Sequence, residues 1–304
     1  MATIGAMAAA LEFEGVTKEY RSLFGGRSVR ALDDFSLRVE QGEIFGFLGP
    51  NGAGKTTAMH LAMGFMRPTG GAGRILGKPF GHAATRQRVG FLAEHVALYH
   101  RPAEKLVRFY GKLNGMRDPQ LRKRAHEALE KVGLADEADR NVGRFSRGML
   151  QRAGLAQALV NDPDLLLLDE PTAALDPLAR IAVRELLLAA QAAGKTVFLS
   201  SHLLSEVELI STRVAILHRG RVRRTGTVHE LLESRAESEI VARGIDAGAF
   251  PGAALRDGLA TFSVAASEQR KAIERVWAAG GEVVSVNPVR QTLEEIFVEL
   301  TKEE

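Results

Sequence analysis

The chain has 304 residues, 45% hydrophobic and 25% charged, with 40 Lys and Arg against 37 Asp and Glu for a net charge of +3. This is ordinary globular composition, long enough for one large or two modest cores, and no apolar run reaches the roughly 18–20 residues of a membrane helix. The lack of cysteine excludes disulfides and thiolate metal sites and fits a reducing compartment.

Residues 1–10 are alanine-rich and apolar without a positive n-region, so a disordered leader is expected there. Residues 11–13 and 31–39 predict a β-rich start. The run Ile44–Leu48 suits a buried strand, and a helix is expected from about Thr56 to Met63. From about His100 to Asn141, Leu106, Val107, Phe109, Tyr110 and Leu113 recur at helical spacing, which predicts a helical insert whose stripe is mostly core. The basic residues Arg117, Arg122, Lys123 and Arg124, like Arg219, Arg221, Arg223 and Arg224 later, read as solvated faces rather than a nucleic-acid footprint.

A further helix is expected from Ser146 through Leu155. Residues 165–168 and 196–199 are short apolar runs of the kind buried on both faces of a parallel sheet. Gly220-Arg221 and Thr225-Gly226-Thr227 predict a hairpin, then a helix capped near Thr227. After about Ser234, residues 239–242, 260–264 and 282–286 read as strands. Residues 267–279 read as an amphipathic helix with Ile273, Val276 and Trp277 on one face. A helix over 292–298 carries Glu294 and Glu295 in its first turn, where they complement its dipole.

Two motifs carry chemistry. Gly49-Pro50-Asn51-Gly52-Ala53-Gly54-Lys55-Thr56-Thr57 lies between a strand and a helix and matches the phosphate-binding loop pattern. A triphosphate is held by backbone N–H groups at a helix N-terminus. Gly49, Gly52 and Gly54 let the backbone approach it, Lys55 reaches the β- and γ-phosphates as a point charge, Thr56 offers a hydroxyl to Mg²⁺, and Thr57 adds a donor near the α-phosphate. The second motif is Leu165-Leu166-Leu167-Leu168-Asp169-Glu170. At the strand's carboxyl end Asp169 is placed to hold Mg²⁺ through water, and Glu170 to orient or deprotonate an attacking water.

Together with further short motifs in order, these residues resemble the ATP-binding subunits of ABC transporters, over about residues 11–230 and more weakly in the tail. Tyr20 stands where that family places an aromatic on adenine. Phe145-Ser146-Arg147-Gly148-Met149-Leu150-Gln151-Arg152 takes the signature position, Ala174-Leu175-Asp176 the D-loop, and Ser200-Ser201-His202 the switch histidine. The Ser-Arg-Gly-Met form, in place of the commoner Ser-Gly-Gly-Gln, resembles bacterial ABC-2-type exporters with separate membrane subunits. Glu94 stands where most members have glutamine, as it often does in that branch.

The resemblance implies an α/β fold: a P-loop NTPase core with an N-terminal β-subdomain, a helical subdomain over about 100–160, and a small α+β C-terminal appendage, divided as 11–233 and 234–304. It implies ATP and Mg²⁺ as ligands, with Thr56, Glu94 and Asp169 toward the metal and Lys55, Glu170 and His202 in catalysis. It further implies a head-to-tail dimer in which Ser146, Arg147, Gly148, Met149 and Asp176 of one copy face the nucleotide on the other. The expected partners are polytopic membrane permeases and a second copy of the chain, at the cytoplasmic face of the cell membrane, with no nucleic acid. Residues from Glu94 to about Pro102 are the expected permease contact. The competing possibility is a soluble ABC-type ATPase acting on nucleic acid or ribosomes, but members of that kind usually carry two nucleotide domains or a long coiled coil, and this chain has neither.

Overall fold

The computed structural model describes residues 8–21, 28–95, 100–232, 237–289 and 291–302. The expected leader falls mostly outside them, as do the middle of the expected permease contact (96–99) and the expected domain junction at 233–234. The chain divides into two compact units, Met1–Val228 and His229–Glu304.

In the first unit, β1 (Ala9–Tyr20) and β2 (Val29–Glu40) form an antiparallel pair, followed by β3 (Ile44–Leu48), α1 (Lys55–Ala62), β4 (Gly70–Ile75), β5 (Lys78–Pro79), the short α2 (Ala83–Arg86) and β6 (Val89–Leu92). Helices α3 (Ala103–Leu113), α4 (Gln120–Lys131) and α5 (Arg147–Leu159) pack on one another, and α5 also packs on β6. Then come β7 (Leu165–Asp169), α6 (Pro177–Ala192), β8 (Thr196–Ser201), α7 (Leu204–Ile210), β9 (Arg213–His218) and β10 (Arg221–Thr227); the short α8 (Val228–Leu231) starts at the last residue of this unit and runs on into the second.

Two sheets result. The first is antiparallel, in the order β2-β1-β4-β5; the second has the order β10-β9-β3-β8-β7-β6, parallel except for the β9–β10 hairpin. Strands β3, β7 and β8 are buried at every residue, which is why apolar residues run on consecutively in them rather than alternating. A chain of rings links the sheets: Phe13 to Phe35 at 4.9 Å between centroids, Phe35 to Phe47 at 5.8 Å, and Phe47 to Phe198 at 5.1 Å. Met59 and Leu61 of α1 join this core, so the helix that follows the glycine loop is anchored by its own apolar face.

The second unit holds β11 (Glu237–Arg243), β12 (Ala254–Arg256), β13 (Leu259–Ala265), α9 (Gln269–Ala278), β14 (Glu282–Pro288) and α10 (Leu293–Lys302). Its antiparallel sheet runs β12-β13-β11-β14, with a core of Ile240, Phe250, Phe262, Ala272 and Val276. Two expected apolar faces are narrower than the spacing suggests. Leu106 and Val107 of α3 are buried but Leu113 is 66% exposed; in α9, Val276 is buried whereas Trp277 is 61% exposed. The buried arc of α9 centres on Ala272 and Val276, four residues apart, and Trp277 lies a further 100° around the helix.

Candidate functional site

The glycine loop joins the carboxyl end of β3 to the N-terminus of α1, and its glycines serve different ends. Gly54 caps α1 at φ +112°, and a Cβ there would lie 2.4 Å from the Ala31 carbonyl; Gly52 has φ +79°. Gly49 is needed for space alone, since its Cβ would sit 2.6 Å from the Leu217 carbonyl. Only glycine meets such demands without strain. Lys55 is buried, and its Nζ donates to the carbonyls of Gly49 at 2.6 Å and Pro50 at 3.2 Å. Burial lowers its pKa, and the carboxylates of Glu170, Asp169 and Glu94 oppose that shift.

Asp169 ends β7, adjacent in the sheet to β8. Its carboxylate accepts from Thr56 Oγ1 at 2.7 Å and from Ser200 Oγ at 2.5 Å. Glu170 is 7% exposed and has φ +53°, the left-handed region that costs a non-glycine residue about 1–2 kcal/mol. Three neighbours hold it there. Its N–H donates to the Ser200 carbonyl and hydroxyl, both at 3.2 Å, and its carbonyl accepts from Gln151 Nε2 at 3.0 Å. Its Oε2 lies 2.7 Å from Nδ1 of the half-exposed His202. Burial raises the Glu170 pKa against the opposing pull of His202 and Lys55, which suits a group that must take up a proton.

A cleft of about 460 Å³ is lined by Tyr20, the loop from Asn51 to Thr57, Glu94, Asp169 and Glu170. Gly49 and Pro50 meet it through Lys55, and His202 through Glu170. The Tyr20 hydroxyl is 3.5 Å from Thr57 Oγ1 and donates to the Met66 sulfur at 3.2 Å, while the residue stays 42% exposed. Glu94 is exposed at the rim.

The remaining expected site residues do not line this cleft. Ser146 caps α5 by accepting from the Met149 N–H at 3.2 Å, and Asp176 caps α6 by accepting from the Ala179 N–H at 2.9 Å. The two helix starts are neighbours, since a Cβ on Gly148 would stand 3.2 Å from the Ala174 carbonyl. Ser146, Arg147 and Asp176 are exposed. They therefore form a second polar cluster, open to whatever approaches from outside. Two residues to which the sequence assigned no role belong to the site: Ser200, which bridges Asp169 and Glu170, and Gln151. The traces in the sequence were the pair Ser200-Ser201 closing a buried strand and a glutamine on the inner face of a helix, neither of which names the group it bonds.

A family model described as ABC transporter matches residues 32–173. The chain is 41% identical over 294 residues to an uncharacterized ABC transporter ATP-binding protein of Nostoc sp., covering 92% of this chain and 86% of that one. It is 36% identical over 229 residues to the Nod factor export ATP-binding protein I of Cupriavidus metallidurans, covering 74% of each, and 34% identical to the ABC transporter ATP-binding protein NatA of Bacillus subtilis, covering 70% of this chain and 88% of that one. Among solved structures it is similar to a dimeric ATP-binding cassette in a post-hydrolysis state bound to ADP and Pi. The TM-score is 0.67 and the identity 27%, covering 72% of this chain and 98% of that one.

Proposed function

The chain belongs to the ATP-binding proteins of ABC transporters, and from that premise we propose that this ATPase powers an exporter by closing on a second copy of itself around ATP. The observation that carries the proposal is the meeting of Lys55, Thr56, Asp169 and Glu170 in one cleft, with the Glu170 carboxylate held by His202 at 2.7 Å.

In this reading the N–H groups of the loop and Lys55 bind the triphosphate, and Tyr20 at the cleft edge offers its ring to the adenine. The donor set suits Mg²⁺, which takes oxygen ligands and commonly one or two protein groups beside phosphates and water. Thr56 and Asp169 supply a hydroxyl and a carboxylate already 2.7 Å apart, and Glu94 adds a carboxylate at the rim. Bound there, the ion would neutralise charge on the phosphates. Glu170 orients the attacking water and takes its proton, and His202 steadies that carboxylate.

The cluster around Ser146, Arg147, Gly148, Met149 and Asp176 lies outside this cleft, with Ser146, Arg147 and Asp176 exposed, which supports a role toward the nucleotide of a second copy. The dimeric cassette similar to this chain is in keeping with that arrangement. Hydrolysis then removes the ligand that bridges the two copies, and the dimer opens.

Export as the transport direction rests on the relatives named for it. Among the described residues no helix is long and apolar enough to cross a membrane; the reading assigns the pore to separate permease subunits, with this chain at their cytoplasmic side. A groove of about 440 Å³ offers a seat for them. Phe65, Phe91, Tyr110 and Leu113 line it beside His95, next to Glu94, and Phe65 and Leu113 are 56% and 66% exposed. None of the relatives or structures named above is described as acting on nucleic acid or ribosomes.

The test is the Glu170→Gln chain, with Lys55→Ala as control. Glu170→Gln should keep ATP binding, lose hydrolysis by about 10²–10⁴-fold as for a missing general base, form a dimer with ATP and Mg²⁺ by light scattering, and co-purify a polytopic membrane protein in mild detergent. Lys55→Ala should do none of these. Near-full turnover by Glu170→Gln removes Glu170 from its role, and recovery of ribosomes without a membrane protein overturns the exporter assignment.

A further inference from the structure

Glu170 combines two features that do not hold themselves in place. Its backbone sits in the left-handed region at φ +53°, where a residue with a side chain stays only when its surroundings over-determine it. Its side chain is buried and lines the cleft, so the backbone that carries it sets where the carboxylate points. The N–H side of the residue is fixed by Ser200, on the neighbouring strand β8. The carbonyl side is fixed by a group from elsewhere: Nε2 of Gln151, which donates to it at 3.0 Å from within helix α5.

Gln151 is 6% exposed. A buried amide is costly unless hydrogen-bonded, so its place on the inner face of α5 is explained by this bond and by nothing apolar. It stands five residues along the helix from Ser146, the cap on which the proposed contact with a second copy turns. We propose that Gln151 is a positioning residue for ATP hydrolysis: its amide ties the strained backbone of Glu170 to the helix capped by Ser146 and so aims the carboxylate at the water. The proposal rests on the assignment of Glu170 as the water-activating base. It adds that the aim of that base depends on where α5 lies, so that a displacement of α5 reaches the carboxylate through one hydrogen bond.

The test uses the full chain with Gln151→Leu, which keeps the volume and removes the donor, and Gln151→Asn, which keeps an amide one methylene too short. ATP affinity and thermal melting establish that each variant is folded. Both should lower kcat by about ten- to a hundredfold, the scale expected for a misplaced catalytic group, while KM for ATP stays within about twofold, as for an interaction that matters only in the transition state. The same substitutions placed in the Glu170→Gln chain should cost nothing further, because Gln151 acts only through that carboxylate. A kcat unchanged in both single variants overturns the proposal, as does a loss of equal size in both backgrounds, which marks a general effect on the fold. Full turnover by the Glu170→Gln single variant instead overturns the assignment of the base, and the proposal with it.

Discussion

Glu43 shows what a single side chain contributes at the start of β3, the strand that leads to the glycine loop. It is 8% exposed, accepts from the Glu40 N–H at 2.7 Å and pairs with Arg213 at 3.0 Å, while its own carbonyl accepts from the Val197 N–H at 2.9 Å. Burial raises its pKa. The Glu40 carboxylate pushes the same way, and the Glu40 N–H and Arg213 push back. A folded-state pKa above the unfolded one means that the native chain favours the protonated acid. That contribution to stability is complete below the ordinary value of 4.5 and is lost as pH rises through the raised one. Glu43→Gln lacks this loss, so its urea midpoint should improve relative to the parent as pH is taken from 4.5 upward; a difference that stays constant or moves in the parent's favour would contradict the assignment. The glycine run, Lys55, Asp169 and Glu170 could be read from the sequence because phosphate and metal chemistry dictates residue type at fixed spacing. Glu43, Ser200 and Gln151 could not. Ser200 and Gln151 bond a backbone group 30 and 19 residues away, and Glu43 a guanidinium 170 residues away; local spacing does not name partners at that range.

At the scale of elements, strands announced themselves where both faces are buried. The start of α5 at Ser146 was legible, whereas α6, capped by Asp176, was not read from the sequence. What spacing did not convey was the width of a buried arc, hence Leu113 and Trp277 on the outside. Strand β4 was also missed, because its sequence Gly-Gly-Ala-Gly-Arg-Ile is poor in strand formers. Its glycines are there for a neighbour: a Cβ on Gly73 would stand 2.0 Å from the Phe80 ring. The seat of α5 on β6 is equally close. A Cβ on Gly90 would lie 2.1 Å from the Ala158 carbonyl and 2.8 Å from Leu166 Cδ2. Backbone cannot yield as a side-chain tip can, so Gly90→Ala should lift α5 off the sheet and cost about 1–3 kcal/mol in urea denaturation. An unchanged midpoint would mean that the helix is less firmly seated than this packing implies.

At the scale of the molecule, the first unit carries two sheets and the second one, each unit with a core of its own, and the two meet in the chain at Val228–His229. Strand order was not legible, because hydrophobic runs do not say which neighbour they take. In the first unit the strand before the glycine loop pairs with no strand near it in sequence: Ile44 lies against Val197, and Phe45 against Arg213. During synthesis, then, the loop leaves the ribosome long before either flanking strand exists, and non-local pairing of this kind is slow to form. Nascent chains halted after β6 or β7 should fail to retain ATP on a nucleotide resin, and retention should begin only once β8 and β9 have cleared the exit tunnel. Retention by the shorter chains would mean that the loop needs no flanking strands. Until that point the apolar run Ile44–Leu48 is unsheltered, and the cell must protect the most characteristic segment of this protein before it can use it.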